Sequence, residues 1–161
     1  LFERAAALEK AGFAPRALVP VQVFPEFPTI NPISQGIAEV MARQARLGAW
    51  GMIPIGETEP ISLNAASQIR AYLAREQVKS VTVVTTGFRS RRTLLVYRAV
   101  LGDGSVQVRC DPVFGPMTPE RWTGTWHGIQ EVTEEFLKLQ YYRFYVIPVL
   151  FRIQDAGARL G

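Results

Sequence analysis

The stretch Ser80-Val-Thr-Val-Val-Thr-Thr86 is the clearest β-strand in the sequence, and Gly-Phe-Arg-Ser-Arg-Arg follows it at 87–92. β-Branched residues fill the first segment, which is typical of a buried strand. A helix is predicted from 90 to 101, and a Gly-Asp-Gly turn then leads to a second strand at 106–110. A strand, a helix and a further strand in this order predict a βαβ unit with parallel strands.

The same alternation extends toward both ends of the chain. Before the central strand, the pattern predicts a helix at 2–11, an extended run at 17–23, a proline-rich loop at 24–32, a helix at 33–45, a strand at 52–55 and a helix at 63–76 capped by Ser62. After the second strand, it predicts a loop at 111–119 and a long helix at 128–145. We therefore expect an α/β domain, a three-layer Rossmann-like parallel sheet flanked by helices.

Length and composition agree with one globular domain. The chain has 161 residues, of which 48% are hydrophobic and 20% charged, and these values exclude a disordered or fibrous protein. A single cysteine, Cys110, excludes a disulfide framework, and we expect it to be buried and inert. His127 is the only histidine, so no metal site or cofactor is predicted. The α/β domain is assigned to residues 1–145, and residues 146–161 form an apolar and then polar tail.

Arginine dominates the charge of the sequence. Fifteen of the 18 basic residues are arginines, and the net charge is +4. Codon usage in a GC-rich genome explains such an excess without any function. Arginine is equally the residue of bidentate phosphate and carboxylate contacts, so an anionic partner is the alternative interpretation.

Ligands of parallel α/β sheets bind beyond the carboxyl ends of the strands, and two loops there carry suitable side chains. Hydroxyls, a glycine and three arginines meet at the start of the helix after 80–86, where free amides also attract anions. From these loops we predict a binding site for an anionic ligand, formed by Ser62, Asn64, Thr86, Arg89 and Arg92. The simpler alternative is that Ser62 only caps its helix and that one arginine faces inward. Glu57 and Glu59 are further candidates for acid–base chemistry.

Two apolar segments are candidates for docking on a partner. The proline-rich loop carries Phe24, Phe27 and Ile30, and the apolar run after the last helix contains Tyr145 and Phe151. Aromatics and arginines beside an apolar run suit a membrane interface or a partner groove. The alternative is that both segments pack on their own domain. No run of 18 apolar residues is present in the sequence.

Four motifs in order resemble the YdcF/SanA/ElyC-like family of bacterial envelope proteins. They are Gly12-Phe-Ala-Pro15, Glu59-Pro-Ile-Ser-Leu-Asn64, Val84-Thr-Thr-Gly-Phe-Arg-Ser-Arg-Arg92, and Trp122 with Glu135-Phe-Leu-Lys-Leu-Gln-Tyr-Tyr142. The resemblance covers nearly the whole chain after Arg4. It implies that the first strand of the family fold would lie before Leu1, and that the family histidine and glutamate are replaced by Arg89 and Ser67.

The resemblance also implies a function and a location. A member without the histidine and glutamate is expected to be a pseudoenzyme, a non-catalytic accessory or scaffold subunit that docks on a membrane protein complex. It would be anchored at the periplasmic face of the inner membrane, with membrane contact through an N-terminal anchor or the C-terminal apolar stretch, and no nucleic-acid partner is expected. The alternative is an envelope-biogenesis enzyme or ligand-binding domain for a phosphorylated lipid or cell-wall precursor.

Overall fold

A computed structural model describes residues 1–24, 29–102 and 106–149. Helices and strands alternate along them in the order α1 (Phe2–Lys10), β1 (Ala17–Gln22), α2 (Pro32–Gln44), β2 (Trp50–Ile55), α3 (Ile61–Arg75), β3 (Ser80–Thr86), α4 (Ser90–Leu101), β4 (Gln107–Val113) and α5 (Trp126–Tyr141). A turn of π-helix, Tyr142–Val146, continues α5, and the chain stays helical through residue 149. The α/β alternation predicted from the sequence is confirmed.

The strands pair in two short parallel sheets. β1 lies beside β2 with Ala17 opposite Trp50, and β3 lies beside β4 with Ser80 opposite Gln107. Within the described residues no ladder of hydrogen bonds joins one sheet to the other. The fold is therefore mixed α/β, with two two-stranded parallel sheets flanked by helices.

One apolar core touches both sheets. Ile53 and Ile55 of β2 are buried with Ile69 and Leu73 of α3 and with Leu101 of α4. Half-buried side chains from β1, β3 and β4 pack against this group, among them Leu18, Val81 and Val108. Because α3 and α4 also contact each other, they form one helical layer over both sheets.

Helix α2 presents its large apolar side chains to solvent. The helix predicted from the spacing of Ile33, Ile37, Val40 and Met41 is present, yet these four side chains are exposed. The buried positions are Ala38 and Ala42, and α2 contacts β1. Alanines lack the bulk that would hold the helix away from the strand, so they form the contact face.

Two boundary predictions were wrong. Helix α3 begins at Ile61 with Pro60 as its N-cap residue and no side-chain cap, so Ser62 is not the cap. The hydroxyl of Ser62 instead accepts a hydrogen bond from Arg92. Strand β4 continues through Asp111 to Val113, where a loop was expected. It can do so because Pro112 falls at a position whose backbone nitrogen points away from β3.

The end of the described chain is helical. Val146 and Ile147 are buried, and residues 146–149 continue the helix, so no break in the backbone marks the expected boundary at 145. The rest of the predicted tail, with Phe151, and the loop residue Phe27 lie outside the described residues.

Candidate functional site

The carboxyl ends of β2 and β3 bring together two of the residues predicted to bind an anion. Ser62 lies in the first turn of α3 and Arg92 in the first turn of α4. One terminal guanidinium nitrogen of Arg92 donates to Ser62 Oγ at 2.7 Å. The guanidinium is almost wholly buried, with 6% of Arg92 exposed. This pair forms the floor of the candidate site.

A carboxylate of the protein itself fills the position facing Arg92. Arg92 Nε donates to Glu135 Oε2 at 3.0 Å, and the second terminal nitrogen reaches Oε1 and Oε2 at 3.2 and 2.9 Å. Glu135 projects from the middle of α5 and is as buried as its partner. The fork-shaped guanidinium and the carboxylate meet in the bidentate geometry that gives charged hydrogen bonds their strength. Arg92 therefore ties α3, α4 and α5 together.

An aromatic ring and an apolar cluster complete the surroundings of the ion pair. The guanidinium carbon lies 5.6 Å from the ring centroid of Tyr142, two helical turns after Glu135 on the same face. Tyr142 belongs to a buried cluster that the same three helices supply, with Leu63, Ala66, Val96, Val100 and Val146. The ion pair thus lies against a core that excludes water, so each charge depends on the other.

Arg89 gives the site a net positive charge. Its Nε lies 3.5 Å from Glu135 Oε1, and 55% of its side chain is exposed. Two guanidinium groups therefore share one carboxylate. An anion that approached from solvent would meet Arg89, whereas the guanidinium of Arg92 already has Glu135 and Ser62 as acceptors.

The remaining predicted ligand residues lie apart from the ion pair. Asn64 donates through Nδ2 to the carbonyl oxygen of Thr58 and so fixes the loop before α3. Thr86, the last residue of β3, is exposed. Glu57 accepts a hydrogen bond from Gln22 at 3.0 Å, and Glu59 accepts one from the backbone amide of Ile61 at 3.3 Å. These contacts organise loops and bring no acid–base pair together.

Two glycines allow close packing around the site. Gly87 is buried between β3 and α4, and a Cβ there would overlap the ring of Phe114. Phe114 in turn packs edge-on against Phe88, with ring centroids 5.5 Å apart. Gly128 in the first turn of α5 lies against the carbonyl of Trp122 in the same way. A side chain at either position would displace the helices that carry Arg92 and Glu135.

Cys110 and His127 take no part in the ion-pair cluster. The thiol of Cys110 faces the carbonyl of Ser90 at 3.7 Å, and Cys110 is half-buried. Burial, reinforced by the neighbouring Asp111, raises the pKa of Cys110, so its reactive thiolate form is disfavoured. His127 is exposed beside Trp126 at the start of α5.

The last helix carries an exposed apolar strip. It consists of Phe136, Leu137, Tyr141, Phe144 and Tyr145, each at least half exposed. Tyr141 stacks on Tyr145 with ring centroids 5.4 Å apart. Gly128, Glu135, Tyr142 and Val146 form the buried side of the same helix. The helix therefore has two apolar faces, of which the protein's own core covers one.

The other predicted docking residues differ in exposure. Phe24 is 41% exposed, while Ile30 is half-buried and pairs with Val23 in an isolated antiparallel bridge. Tyr145 is part of the apolar strip. The loop and the strip thus both offer aromatic surface, and the strip offers more of it.

Sequence reasoning missed the role of Glu135. The residue is part of the last motif of the family resemblance, but no role was assigned to it. A signal was available, because Glu135 lies three residues after Val132 and four before Leu139, on the inward face of an amphipathic helix. A lone carboxylate on such a face requires a buried partner, and an arginine is the usual one.

Several kinds of site are not found in the described part of the chain. No cluster of three or more His, Cys, Asp or Glu side chains is placed to hold a metal ion. No described helix is long and apolar enough to cross a membrane. A surface cavity of about 410 Å³ is lined by Glu39, Arg43, Leu47 and Trp50, none of which was a predicted ligand residue.

Comparisons with protein-family models, with curated proteins and with solved structures returned no match. The resemblance to the YdcF/SanA/ElyC-like family, and the location and function that it implies, therefore stay predictions.

Proposed function

We propose that this domain is a non-catalytic accessory subunit that docks on a membrane protein assembly through the apolar strip of its last helix. The observation that carries the proposal is the second apolar face of that helix. Phe144 is 71% exposed, and Leu137 and Tyr145 are 62% and 60% exposed. Contiguous apolar surface of this kind is uncommon on free monomers and marks interaction sites.

The composition of the strip suits a protein partner. Three of its five residues are Phe or Tyr in the stretch 141–145, and aromatic residues are enriched in interface centres. Lys138 and Arg143 flank them, and Arg143 lies over the ring of Phe144 at 5.5 Å. An apolar centre with a cationic rim is the arrangement expected where a subunit meets an assembly beside anionic lipid headgroups.

A structural role for the arginine cluster supports the absence of catalysis. The guanidinium of Arg92 is directed at Glu135 and Ser62, where a substrate anion would otherwise bind. Arginine stays protonated at working pH and cannot serve as a general base. The family resemblance implies that the assembly lies at the periplasmic side of the inner membrane.

The helices on the two faces of the sheets support a single Rossmann-like sheet. Cys110 of β4 faces α4, while Asp111, on the opposite face, meets Arg4 of α1. Helices therefore cover both faces of β4. We propose that the two sheets belong to one three-layer parallel arrangement.

Copurification tests the docking proposal. The double variant Phe144→Ser with Tyr145→Ser removes two exposed rings and leaves the buried face intact. The matched control is Ile33→Ser with Ile37→Ser, which removes similarly exposed apolar surface from α2. We expect the natural protein and the α2 control to elute from mild detergent with the same integral membrane protein, and the first variant to elute alone. Retention of that protein by the first variant would contradict the proposal.

A second candidate function rests on Arg89. Because Arg89 is exposed and shares Glu135 with Arg92, its charge is available to an anionic headgroup. An envelope-biogenesis enzyme or a ligand-binding domain for a phosphorylated lipid would use this charge. Vesicles that contain phosphatidic acid test it: binding that Arg89→Ala weakens, and that Arg143→Ala does not, would favour this candidate.

A further inference from the structure

Three helices end in the same kind of turn. In each, the amide of one residue donates at 3.0 Å to the carbonyl five positions earlier, in the pairs Phe13 with Leu8, Leu47 with Ala42 and Val78 with Leu73. The residue before each donor has a left-handed backbone, with a φ of 77° at Gly12, 54° at Arg46 and 53° at Gln77. These turns are Schellman motifs, in which the apolar donor residue commonly packs on the helix that it ends.

Phe13 does not follow that packing. Leu47 is buried, and Val78 packs against the core around Leu73, but Phe13 is 75% exposed. No large apolar side chain of the described chain is more exposed. The space around the turn is open, because a Cβ on Gly12 would meet no atom within 4 Å. A fixed backbone turn therefore holds the ring of Phe13 out into solvent at the end of α1.

The end of the molecule that carries Phe13 is rich in basic residues. The helices run back against the parallel strands, so their last turns lie beside the amino ends of the strands. The last turns of α1 to α4 supply four exposed cations, and the segments leading into β1, β2 and β3 supply three more: Lys10, Arg43, Arg75, Arg98, Arg16, Arg46 and Lys79. We call this surface, with Phe13, the cationic end.

Contacts across the cationic end show that its parts adjoin one another. Arg16, just before β1, reaches Glu76, just after α3, at 3.2 Å. The carboxylate of Glu9 in the last turn of α1 accepts from the amide of Gly48, just before β2, at 2.8 Å. The ends of three helices and two strands therefore form one continuous surface.

Few carboxylates offset the charge of the cationic end. Glu9 and Glu76 are the acidic residues of its described loops and last helical turns, and the sequence adds Asp103 in the segment 103–105, outside the described residues. Each helix C-terminus offsets about half a charge more. Seven cations exceed both contributions, so the cationic end stays positive.

Arg46 has a charge that the domain itself does not use. Its side chain is exposed and makes no hydrogen bond or ion pair with a described residue. Its backbone has a φ of 54°, a conformation that glycine adopts at lower cost than any other residue. The charge is therefore available to a partner, and glycine can remove it without strain.

We propose that the cationic end rests on a lipid bilayer with anionic headgroups and that the ring of Phe13 inserts among them. An exposed aromatic ring with lysines and arginines around it is the combination that holds proteins at anionic membrane surfaces. Single-stranded nucleic acid, another anionic polymer, is held in a groove where several rings stack on bases. The described loops of the cationic end present one exposed ring, which favours the bilayer. This inference goes beyond the proposed docking function and does not depend on it.

Cosedimentation with lipid vesicles tests the charge of the cationic end. Vesicles of phosphatidylcholine alone are compared with vesicles that also contain about 30% phosphatidylglycerol. We expect the chain to bind the anionic vesicles only, and less strongly at high salt. The double variant Lys10→Gln with Arg46→Gly should bind about 25-fold more weakly, since each cation near such a surface contributes about fivefold. Thermal unfolding should show that this variant is folded, because glycine suits position 46.

A second set of variants tests the ring. Phe13→Ser should weaken binding to the anionic vesicles at least about tenfold, because an apolar side chain no longer leaves water. Phe13→Leu, which stays apolar, should keep most of the binding. The matched controls are Ile33→Ser and Arg91→Ala, which remove an exposed apolar side chain and an exposed cation from the opposite end of the strands. Both controls should bind as the natural chain does.

Each other outcome overturns the proposal. Equal binding to both kinds of vesicle, or to neither, would exclude recognition of anionic headgroups. Loss of binding in Arg89→Ala, with none in Lys10→Gln with Arg46→Gly, would move the lipid contact to the ion-pair cluster. Tighter binding to a DNA oligonucleotide than to anionic vesicles, unchanged by Phe13→Ser, would make nucleic acid the partner. The vesicles contain no protein, so these results leave the docking proposal to its own test.

Discussion

Arg92 is the residue on which the arrangement of three helices depends. Its guanidinium contacts Glu135 on α5 and Ser62 on α3 and lies over the ring of Tyr142. A buried ion pair of this kind adds little net stability compared with apolar packing, but breaking it leaves one charge without a partner. The main effect of the pair is therefore to fix the position of α5 against α3 and α4, and its contribution to the net stability of the fold is small.

Removing the arginine should be costly. Arg92→Ala is expected to lower the free energy of unfolding by about 3–5 kcal/mol, because Glu135 would lose its buried counterion and keep only the exposed Arg89 beside it. Urea denaturation measures the change. Arg91→Ala, one position earlier and exposed, is the matched control and should change stability by less than about 0.5 kcal/mol.

The double variant Arg92→Met with Glu135→Leu separates charge from packing. It should recover most of the stability lost in Arg92→Ala, since no unpaired charge remains. If Arg92→Ala and Arg91→Ala had equal effects, the ion pair could not be the link between the helices.

At the scale of residues, the sequence indicates which side chains belong to the cluster more readily than it indicates which side chain each one contacts. The proximity of Ser62 and Arg92 follows from two helices that start at neighbouring strand ends, and sequence reasoning placed them in one site. Glu135 lies 43 positions after Arg92, and nothing local connects them. Two of the predicted ligand residues, Ser62 and Arg92, therefore meet, and the partner that sequence reasoning missed is the protein's own carboxylate, Glu135.

At the scale of elements, α1 is held by its last turn. Glu9 accepts hydrogen bonds from the amides of Gly48 and Ala49, which lie just before β2. These bonds to the charged carboxylate lower the pKa of Glu9. A carboxylate whose pKa is lower in the folded state stabilises the fold above its ordinary pKa. That contribution is lost as the pH falls through the folded-state pKa.

The variant Glu9→Gln tests this anchor through its pH dependence. Urea denaturation between about pH 3 and pH 7 should show the natural protein more stable than the variant at neutral pH, with the difference shrinking in acid. Glu3→Gln, exposed on the same helix, is the control. A difference between the natural protein and Glu9→Gln that stays constant over the range would show that the charge of Glu9 is not involved.

Helix periodicity predicted the elements but not always the face that is buried. In α2 the large apolar residues are exposed and alanines form the contact, because small side chains let a helix approach a strand closely. The last helix has apolar residues on two sides, and periodicity cannot tell which side meets the core. The strip on the last helix differs from the exposed face of α2 in its aromatic residues, a type that is enriched in interfaces.

For the whole molecule, the alternation of helices and strands followed from local sequence, while the pairing of the sheets did not. Parallel pairs join residues far apart in the chain, such as Ala17 with Trp50, and their order depends on crossover handedness and on edges. Proline positions carry part of that information. Pro112, for example, fits in β4 because its backbone nitrogen points away from β3.

The proposed docking role requires that the apolar strip be held in a fixed position. The buried side of the last helix is fixed by Arg92, Glu135 and the core around Tyr142, so the opposite side is presented rigidly. A preformed surface loses little conformational entropy on binding. The same ion pair that resembles a ligand site therefore serves the proposed interface by holding its helix in place.

Site-specific photocrosslinking in native membranes tests the central claim most directly. A benzophenone side chain replaces Phe144 in the strip, and in a second variant it replaces Glu131, which is exposed outside the strip on the same helix. We predict that irradiation links the first variant to an integral membrane protein, and that the second variant gives no such product. Equal yields from the two positions, or no membrane protein linked at Phe144, would contradict docking through this helix.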